Sequence, residues 1–288
     1  MIPPGPLLSC NGVQGDYSTG HGEDGMAEVV LYELRGTTAW VTLNRPDKRN
    51  ALSRDLIQAL DEVIRQAAQE NRVRCLVLTG AGSAFCAGMD LEELRQSLDA
   101  ETTLIWQDAQ RLATLYDFLY RLPKPTIAAV NGPAVAGGAG LVSVCDLAVA
   151  VSSARFGYPE VRRGLVAAMV LPHLLRHVGE RAARWLLLTG ELIDAPQALQ
   201  FGLINAVVED NSQLLQTVDR WIDSLVQGGP QALARTKELL ARCTPHALPI
   251  EELARGSAEP RLGEECRQGL AAFFEKRLPP WINQTGSI

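Results

Sequence analysis

From Pro125 to Cys145 the chain carries no charged side chain, and this stretch limits the fold more than any other part of the sequence. Its 21 residues reach the length of a membrane-spanning helix, for which about 20 apolar residues suffice. Asn131, Pro133 and glycines 132, 137, 138 and 140 break it, so it reads instead as buried strand, turn and helix. Burying it requires a sizeable core. The 288 residues, 47% of them hydrophobic, supply enough for one large domain or one domain with an appendage.

Strands and helices alternate around this stretch. Glu28 to Leu34 and Thr38 to Leu43 read as paired strands about Arg35 and Gly36, while Leu52, Leu56, Leu60, Val63, Ile64 and Ala67 recur at helical spacing. An apolar strand, Arg74 to Thr79, follows. A helix near Leu91 to Leu98 and a longer one from Thr102 to Leu122 come next, the latter ended by Pro123 and Pro125. Thr126 to Val130 and Leu147 to Val151 read as further strands, and the alternation predicts an α/β layered core with crossover connections. After about residue 210 only helical patterns remain, around Leu214 to Val226, Pro230 to Ala241 and Glu259 to Lys276. They read as a helical appendage or assembly module. Residues 1–25, rich in Pro, Gly, Ser and Asp without period, read as a disordered tail, with the folded part starting near Met26.

Charge and cysteine usage exclude several classes. Lys and Arg number 27 against 33 Asp and Glu, a net charge of −6 with no basic stripe, which argues against nucleic acid or an anionic membrane as partner. No positively charged side chain precedes Arg35, so a basic targeting start is missing and the cytoplasm is the expected location. The six cysteines, at 10, 75, 86, 145, 243 and 266, form no CxxC pair and read as buried or idle thiols. His173 and His177 could share a helix face, but Leu174 stands where the HExxH metalloprotease motif has glutamate; no metal is expected.

Two glycine-rich turns each follow a strand: Thr79 to Asp90 and Asn131 to Cys145. The second has Gly132 and Gly137 at P-loop spacing without the Lys and Ser/Thr that must follow, and neither turn has the dinucleotide glycine spacing. What such turns can offer is backbone: glycine and alanine let main-chain N–H groups approach a ligand, and two of them form an oxyanion hole. The plainer alternative is that the glycines serve only tight turns and close packing.

Four longer segments carry a specific resemblance. LNRPDKRNALS (Leu43 to Ser53), GSAFCAGMDL (Gly82 to Leu91), KPTIAAVNGPAVAGGAGLVSVCDLAVA (Lys124 to Ala150) and AARWLLLTGELIDAPQALQFGLINAVV (Ala182 to Val208) together resemble the crotonase superfamily of enoyl-CoA hydratases and isomerases. The resemblance runs from about Val29 to Arg277. It implies a crotonase-like spiral of ββα repeats over residues 26–210 and a C-terminal helical region, 211–288, that packs into homotrimers, commonly paired as hexamers. It implies an acyl-CoA thioester as substrate, with coenzyme A part of that substrate and no separate cofactor. By position, the N–H groups of Ala87 and Gly137 match the pair that holds the thioester oxygen, and Ala87, Gly88, Met89 and Asp90 match the loop that lines the CoA arm and adenine. Lys48 and Arg49 fall where the family contacts CoA phosphates or adenine. Lys276, in AAFFEKR (Ala271 to Arg277), falls on the terminal helix that contacts CoA, from its own or a neighbouring subunit. Read without the resemblance, these three cations are equally well solvated surface charges.

The chemistry needs two fixed amide donors because they stabilise the charge that develops on a thioester oxygen more strongly in the transition state than in the ground state. Moving protons at C2 and C3 or C4 then needs a carboxyl group. The family's hydratases usually carry two glutamates. Here Gly140 occupies the first position, and Glu160, in RFGYPEVRRG, occupies the second. Without the family Glu160 reads as a loop residue paired with Arg162 or Arg163; with it, Glu160 is the leading catalytic candidate, its pKa raised by an apolar pocket. Asp146 reads as turn-stabilising and Asp90 as a helix cap.

Three functions stay open on these residues. An isomerase can work with one glutamate shuttling a proton. A hydratase branch that includes methylglutaconyl-CoA hydratases has glycine at the first position, and hydratase is the preferred reading. An acyl-CoA-binding subunit without chemistry is the third. If the substrate is branched or of glutaconyl type, with a free carboxylate, Arg162 or Arg163 could pair with it; surface arginines are the simpler reading.

Overall fold

A computed structural model of the protein describes residues 28–99, 101–243 and 248–282. The expected disordered tail, the start near Met26 and Cys10 lie outside the described residues.

Each strand that forms a sheet interior is a run of apolar, mostly β-branched or small residues, as strands covered on both faces must be. β1 (Val30–Arg35) and β2 (Thr38–Leu43) form an antiparallel hairpin turned at Gly36, which adopts φ +61°. α1 (Arg54–Gln69) is started by Ser53, whose hydroxyl accepts from the Leu56 N–H, and buries Leu56, Ile57, Leu60, Ile64 and Ala67 on one face. β3 (Cys75–Gly80) pairs parallel with β2. After it come the short α2 (Leu91–Gln96) and the long α3 (Thr102–Arg121).

The uncharged stretch folds as β4 (Thr126–Val130), β5 (Ala134–Val135) and α4 (Gly137–Val144). Every residue of β4 and of α4 is buried. The helix carries no charge on any face, and Gly137, Gly138, Ala139 and Gly140 let neighbouring chain approach its first turn closely. β6 (Leu147–Val151), β7 (Arg155–Gly157), α5 (Leu171–Thr189), β8 (Leu192–Asp194), α6 (Ala195–Gln200) and β9 (Ala206–Val208) complete the core.

The strands sort into two sheets. The larger runs β1-β2-β3-β4-β6-β9, parallel beyond the first hairpin, and the smaller runs β5-β7-β8. Successive turns of chain place one strand in each: β4 then β5, β6 then β7. A bridge from Cys86 to Ala134 extends the small sheet toward the first glycine-rich turn. The result is the spiral of ββα repeats. The two-residue and three-residue strands of the small sheet were not among the sequence expectations.

The C-terminal helices roof this core. α7 (Asn211–Val226) buries Leu214, Thr217 and Val218 against the large sheet. α8 (Pro230–Cys243) buries no residue, whereas α9 (Ile250–Ala258) lies along α3 with Leu253, Ala254, Ser257 and Ala258 buried. The helix expected over Glu259 to Lys276 is corrected: a 3-10 turn at Glu259–Leu262, with Pro260 inside it, separates α9 from α10 (Glu264–Phe274). Proline lacks the N–H that would continue the ladder.

His173 and His177 act as braces. His173 Nδ1 lies 3.0 Å from the Arg176 guanidinium and its ring stands edge-on to Tyr120, while burial pushes its pKa down to about 3. His177 Nε2 donates to the Ser143 carbonyl at 2.9 Å, tying α5 to α4. No cluster of three metal-binding side chains occurs among the described residues. Burial pushes the thiols of Cys75, Cys86 and Cys145 up to about 12. No described helix is long and apolar enough to cross a membrane.

Candidate active site

The first glycine-rich turn is held by one buried side chain. Asn50, fully buried and left-handed at φ +55°, donates through Nδ2 to the carbonyls of Ala81 (2.9 Å), Ala84 (2.8 Å) and Phe85 (3.2 Å), and its Oδ1 accepts from the Arg45 N–H. The next residues form a bridge with the chain before α1: the Leu52 N–H donates to Gly88 O and the Asp90 N–H to Leu52 O. Asp90 then caps α2, accepting from the Glu92 N–H at 3.1 Å, and pairs with Arg45 at 3.0 Å. Its carboxylate thus ties the first turn to α2 and to Arg45.

The second turn locks into the first at glycine. Gly88 adopts φ +88°, and a Cβ there would lie 2.7 Å from Ala136 Cβ and 3.2 Å from the Gly137 N. A Cβ on Gly138 would lie 2.2 Å from Cys86 O. Contacts this close admit no larger residue. They bring Met89 and Gly137 onto one pocket. Just before α4, Ala136 is held at φ +53°, ψ −124°, a strained conformation for a residue with a Cβ, by hydrogen bonds to Gly157 O and from the Gly140 N–H.

The pair of amide donors expected from sequence needs one correction. The Ala87 N–H is already used, donating to Arg49 O at 3.0 Å. Among the described residues the Met89 N–H and the Gly137 N–H have no acceptor, and both residues line the same pocket. Gly137 opens α4, so its N–H is one of the unpaired donors at the positive end of the helix. The positive φ of Gly88 lies between Ala87 and Met89, so sequence spacing alone could not say which amide faces the pocket.

That pocket is partly open to solvent, with walls mostly of leucine, valine, alanine and methionine. Glu160 enters it from the 3-10 turn Pro159–Arg163 that follows β7. Its Oε2 is buried with no hydrogen-bond partner, and desolvation raises its pKa to about 7, the Arg163 charge opposing the rise only in part. Arg163 also lines the pocket, its guanidinium 4.5 Å over the Phe273 ring. Arg162 points elsewhere: it is exposed and its Nε donates to Thr189 O.

Tyr116, which sequence reasoning missed, belongs to this wall. It is fully buried on α3, and its hydroxyl donates to Gly137 O at 2.7 Å. A Cβ on Gly140 would lie 2.9 Å from this hydroxyl oxygen and 2.4 Å from Val170 Cγ1. The space a side chain at position 140 would enter is therefore already taken. Arg261 and Ser257, also unanticipated, line the pocket from the C-terminal roof.

Lys48 and Arg49 are exposed on the turn before Asn50, and Lys276 is exposed after α10; none of the three lines the pocket. Asp146 accepts from the Thr126 N–H and hydroxyl and pairs with Lys237, a role within the fold.

Two free N–H groups beside a carboxyl of raised pKa define, in class, an enzyme that holds a carbonyl oxygen while a proton moves at the neighbouring carbon. Comparison with known proteins gives the family. The model for enoyl-CoA hydratase/isomerase matches residues 33–284. The chain is 40% identical over 252 residues to a Thermus thermophilus protein provisionally named enoyl-CoA hydratase, covering 85% of this chain and 97% of that one. It is 35% identical over 258 residues to the short-chain-enoyl-CoA hydratase of Clostridium acetobutylicum, covering 86% and 95%. Among solved structures, an enoyl-CoA hydratase from Mycobacterium avium superposes with a TM-score of 0.77 at 36% identity, over 89% of this chain and 100% of that one. The chain belongs to the enoyl-CoA hydratase/isomerase family, within the crotonase superfamily.

Proposed function

We propose that the protein is an enoyl-CoA hydratase that adds water reversibly across the α,β double bond of an acyl-CoA thioester. The observation that carries this reading is Glu160, a carboxyl with a pKa near 7 facing a pocket that holds two unclaimed N–H groups. The thioester oxygen accepts from Met89 and Gly137. As the water oxygen bonds to C3, the double-bond electrons move onto the thioester oxygen, where the two donors stabilise them. The Glu160 carboxylate takes one proton from the water and delivers it to C2 as the enolate collapses. One hydroxyl and one hydrogen are added, and the carboxylate is regenerated.

A hydratase also needs a seat for water, and with Gly140 in place of a second glutamate Tyr116 supplies it. Its hydrogen is committed to Gly137 O, so its lone pairs can accept from a water molecule and aim that molecule's oxygen. Burial raises the pKa of Tyr116 well above its ordinary value, so the phenol stays neutral and Glu160 is the sole base. The specific observation that favours an isomerase is the same Gly140, since one carboxylate suffices to move a proton between C2 and C4.

Mass spectrometry of α,β- and β,γ-enoyl-CoA thioesters incubated in heavy water separates these readings, with Glu160→Gln as control. Water gain that the substitution abolishes supports the hydratase. Deuterium entry with double-bond migration and no water gain supports the isomerase, and tight acyl-CoA binding without turnover supports a binding subunit. Lys48, Arg49 and Lys276 remain the proposed contacts for the CoA phosphates. Trp185, Leu188 and Leu192, exposed together on α5 and β8, are proposed as part of a homotrimer or hexamer surface.

A further inference from the structure

We propose that the pocket accepts an acyl group ending in a carboxylate, with Arg261 as the residue that recognises it. The inference rests on reading the pocket as an acyl-thioester site. Arg261 stands in the 3-10 turn between α9 and α10, and only 4% of it is exposed. A guanidinium cannot shed its proton, so burial requires compensation by hydrogen bonds and opposite charge. The compensation in the protein is incomplete. One nitrogen donates to the Ser257 hydroxyl at 3.1 Å, and no carboxylate among the described residues lies within ion-pair distance.

The carboxylate that acts on Arg261 from farther away is Asp108. Its charge is shared: Asp108 pairs with Arg54 at 2.8 Å and meets Arg111 at 3.9 Å. Glu93 accepts from the Arg54 N–H. Arg54, Arg111 and Arg261 thus face Asp108 and Glu93 around a small second cavity that shares Met89, Leu94 and Arg261 with the acyl pocket. Arg54 is also acted on by Asp55. Of the three arginines, Arg261, where the two cavities meet, is the one without a carboxylate within ion-pair distance among the described residues.

Arg163 is the other cation of the pocket; it feels the Glu160 charge without forming an ion pair with it, and its guanidinium rests on the Phe273 ring. Arg261 has only the Ser257 hydroxyl. Leu94, Leu112 and Leu165 form apolar wall, and Ser257 and Arg261 are the polar groups on the roof. A guanidinium fork with a hydroxyl beside it matches the two oxygens of a carboxylate. An unsubstituted alkyl tail would leave the guanidinium desolvated and unpaired.

The test measures binding first and turnover second. Calorimetry with saturated acyl-CoA thioesters, plain and ω-carboxylated at matched lengths, is run on the wild-type protein, Arg261→Met and Arg261→Lys. The wild type is expected to favour a carboxylated ligand by at least about tenfold, Arg261→Met to abolish or reverse that preference, and Arg261→Lys to keep part of it. Equal affinity of the wild type for both ligand classes at every length overturns the proposal, and needs no variant to fold. So does equal loss on both classes in Arg261→Met with an unchanged melting temperature. Turnover of the matched enoyl thioesters is then compared: a preserved binding preference with no water addition defeats the hydratase reading and leaves the carboxylate site standing.

Discussion

The Tyr116 hydroxyl oxygen lies 2.9 Å from where Gly140 would carry a Cβ, so the tyrosine on α3 occupies the volume that a side chain at position 140 on α4 would enter. Because Val170 crowds the same point at 2.4 Å, restoring the acid by Gly140→Glu is expected to destabilise the protein by roughly 2 kcal/mol or more. Urea denaturation measures this. Unchanged stability would mean that Tyr116 and Val170 swing aside easily.

Tyr116→Phe keeps the packing and removes only the oxygen. If that oxygen seats the water, kcat for hydration should fall roughly 10- to 100-fold with KM within about threefold. An isomerisation measured on the same variant should not change, because no water takes part.

Glu160 gives two pH signatures. As a base it must be ionised, so kcat/KM should rise with pH and level off above about 7. Glu160→Gln should lower kcat by about 10²- to 10⁴-fold and remove the limb. Stability moves the other way. The folded pKa is raised above the unfolded value, so between about 4.5 and 7 the unfolded chain releases this proton and the folded chain keeps it. Stability is therefore lost as pH rises through that window. Glu160→Gln should be more stable than wild type at pH 8 by about 1–3 kcal/mol and nearly equal to it at pH 4, as paired denaturation curves can establish.

Ala136 carries strain that its neighbours impose. Its φ of +53° is natural for glycine, so Ala136→Gly should stabilise the fold by about 1 kcal/mol after allowing for the freer unfolded chain. A lower melting temperature would instead assign the Ala136 methyl a packing role against Gly88.

Asn50→Ala removes the anchor of the first turn and leaves the carbonyls of Ala81, Ala84 and Phe85 to find other donors. A loss of roughly 2–4 kcal/mol is expected, with a fall in kcat because the turn that presents Met89 loosens. Equal hydrogen exchange across residues 80–90 in both proteins would contradict this.

Much of the architecture was legible because periodicity reports burial. β2, β3, β4 and β6 are apolar runs, α1 repeats leucine and isoleucine at helical spacing, and the expected bounds fall within a few residues of the observed ones. The small sheet was not legible: two or three residues are too few to show alternation. The site was legible as far as side chains define it, which is why Glu160 stood out by position. Amides are different. Whether Ala87 or Met89 turns its N–H to the ligand depends on one glycine torsion, and no residue type announces that. Tyr116 and Arg261 sit within helical segments whose period says only that they are helical; that they reach one pocket follows from the packing of α9, and of the 3-10 turn after it, along α3.

The interlocking of Gly88 and Gly138 with the opposite turn separates two properties that many sites keep entangled. The donors cannot shift relative to each other without breaking the centre of the spiral, so their alignment is set when the chain folds and is not remade at each turnover. The roof opposite is supplied by Ser257 and Arg261, which touch neither of the two interlocked turns. Such a protein can drift from one acyl tail to another while its reactive centre stays fixed, with inheritance conserving the chemistry and varying the appetite.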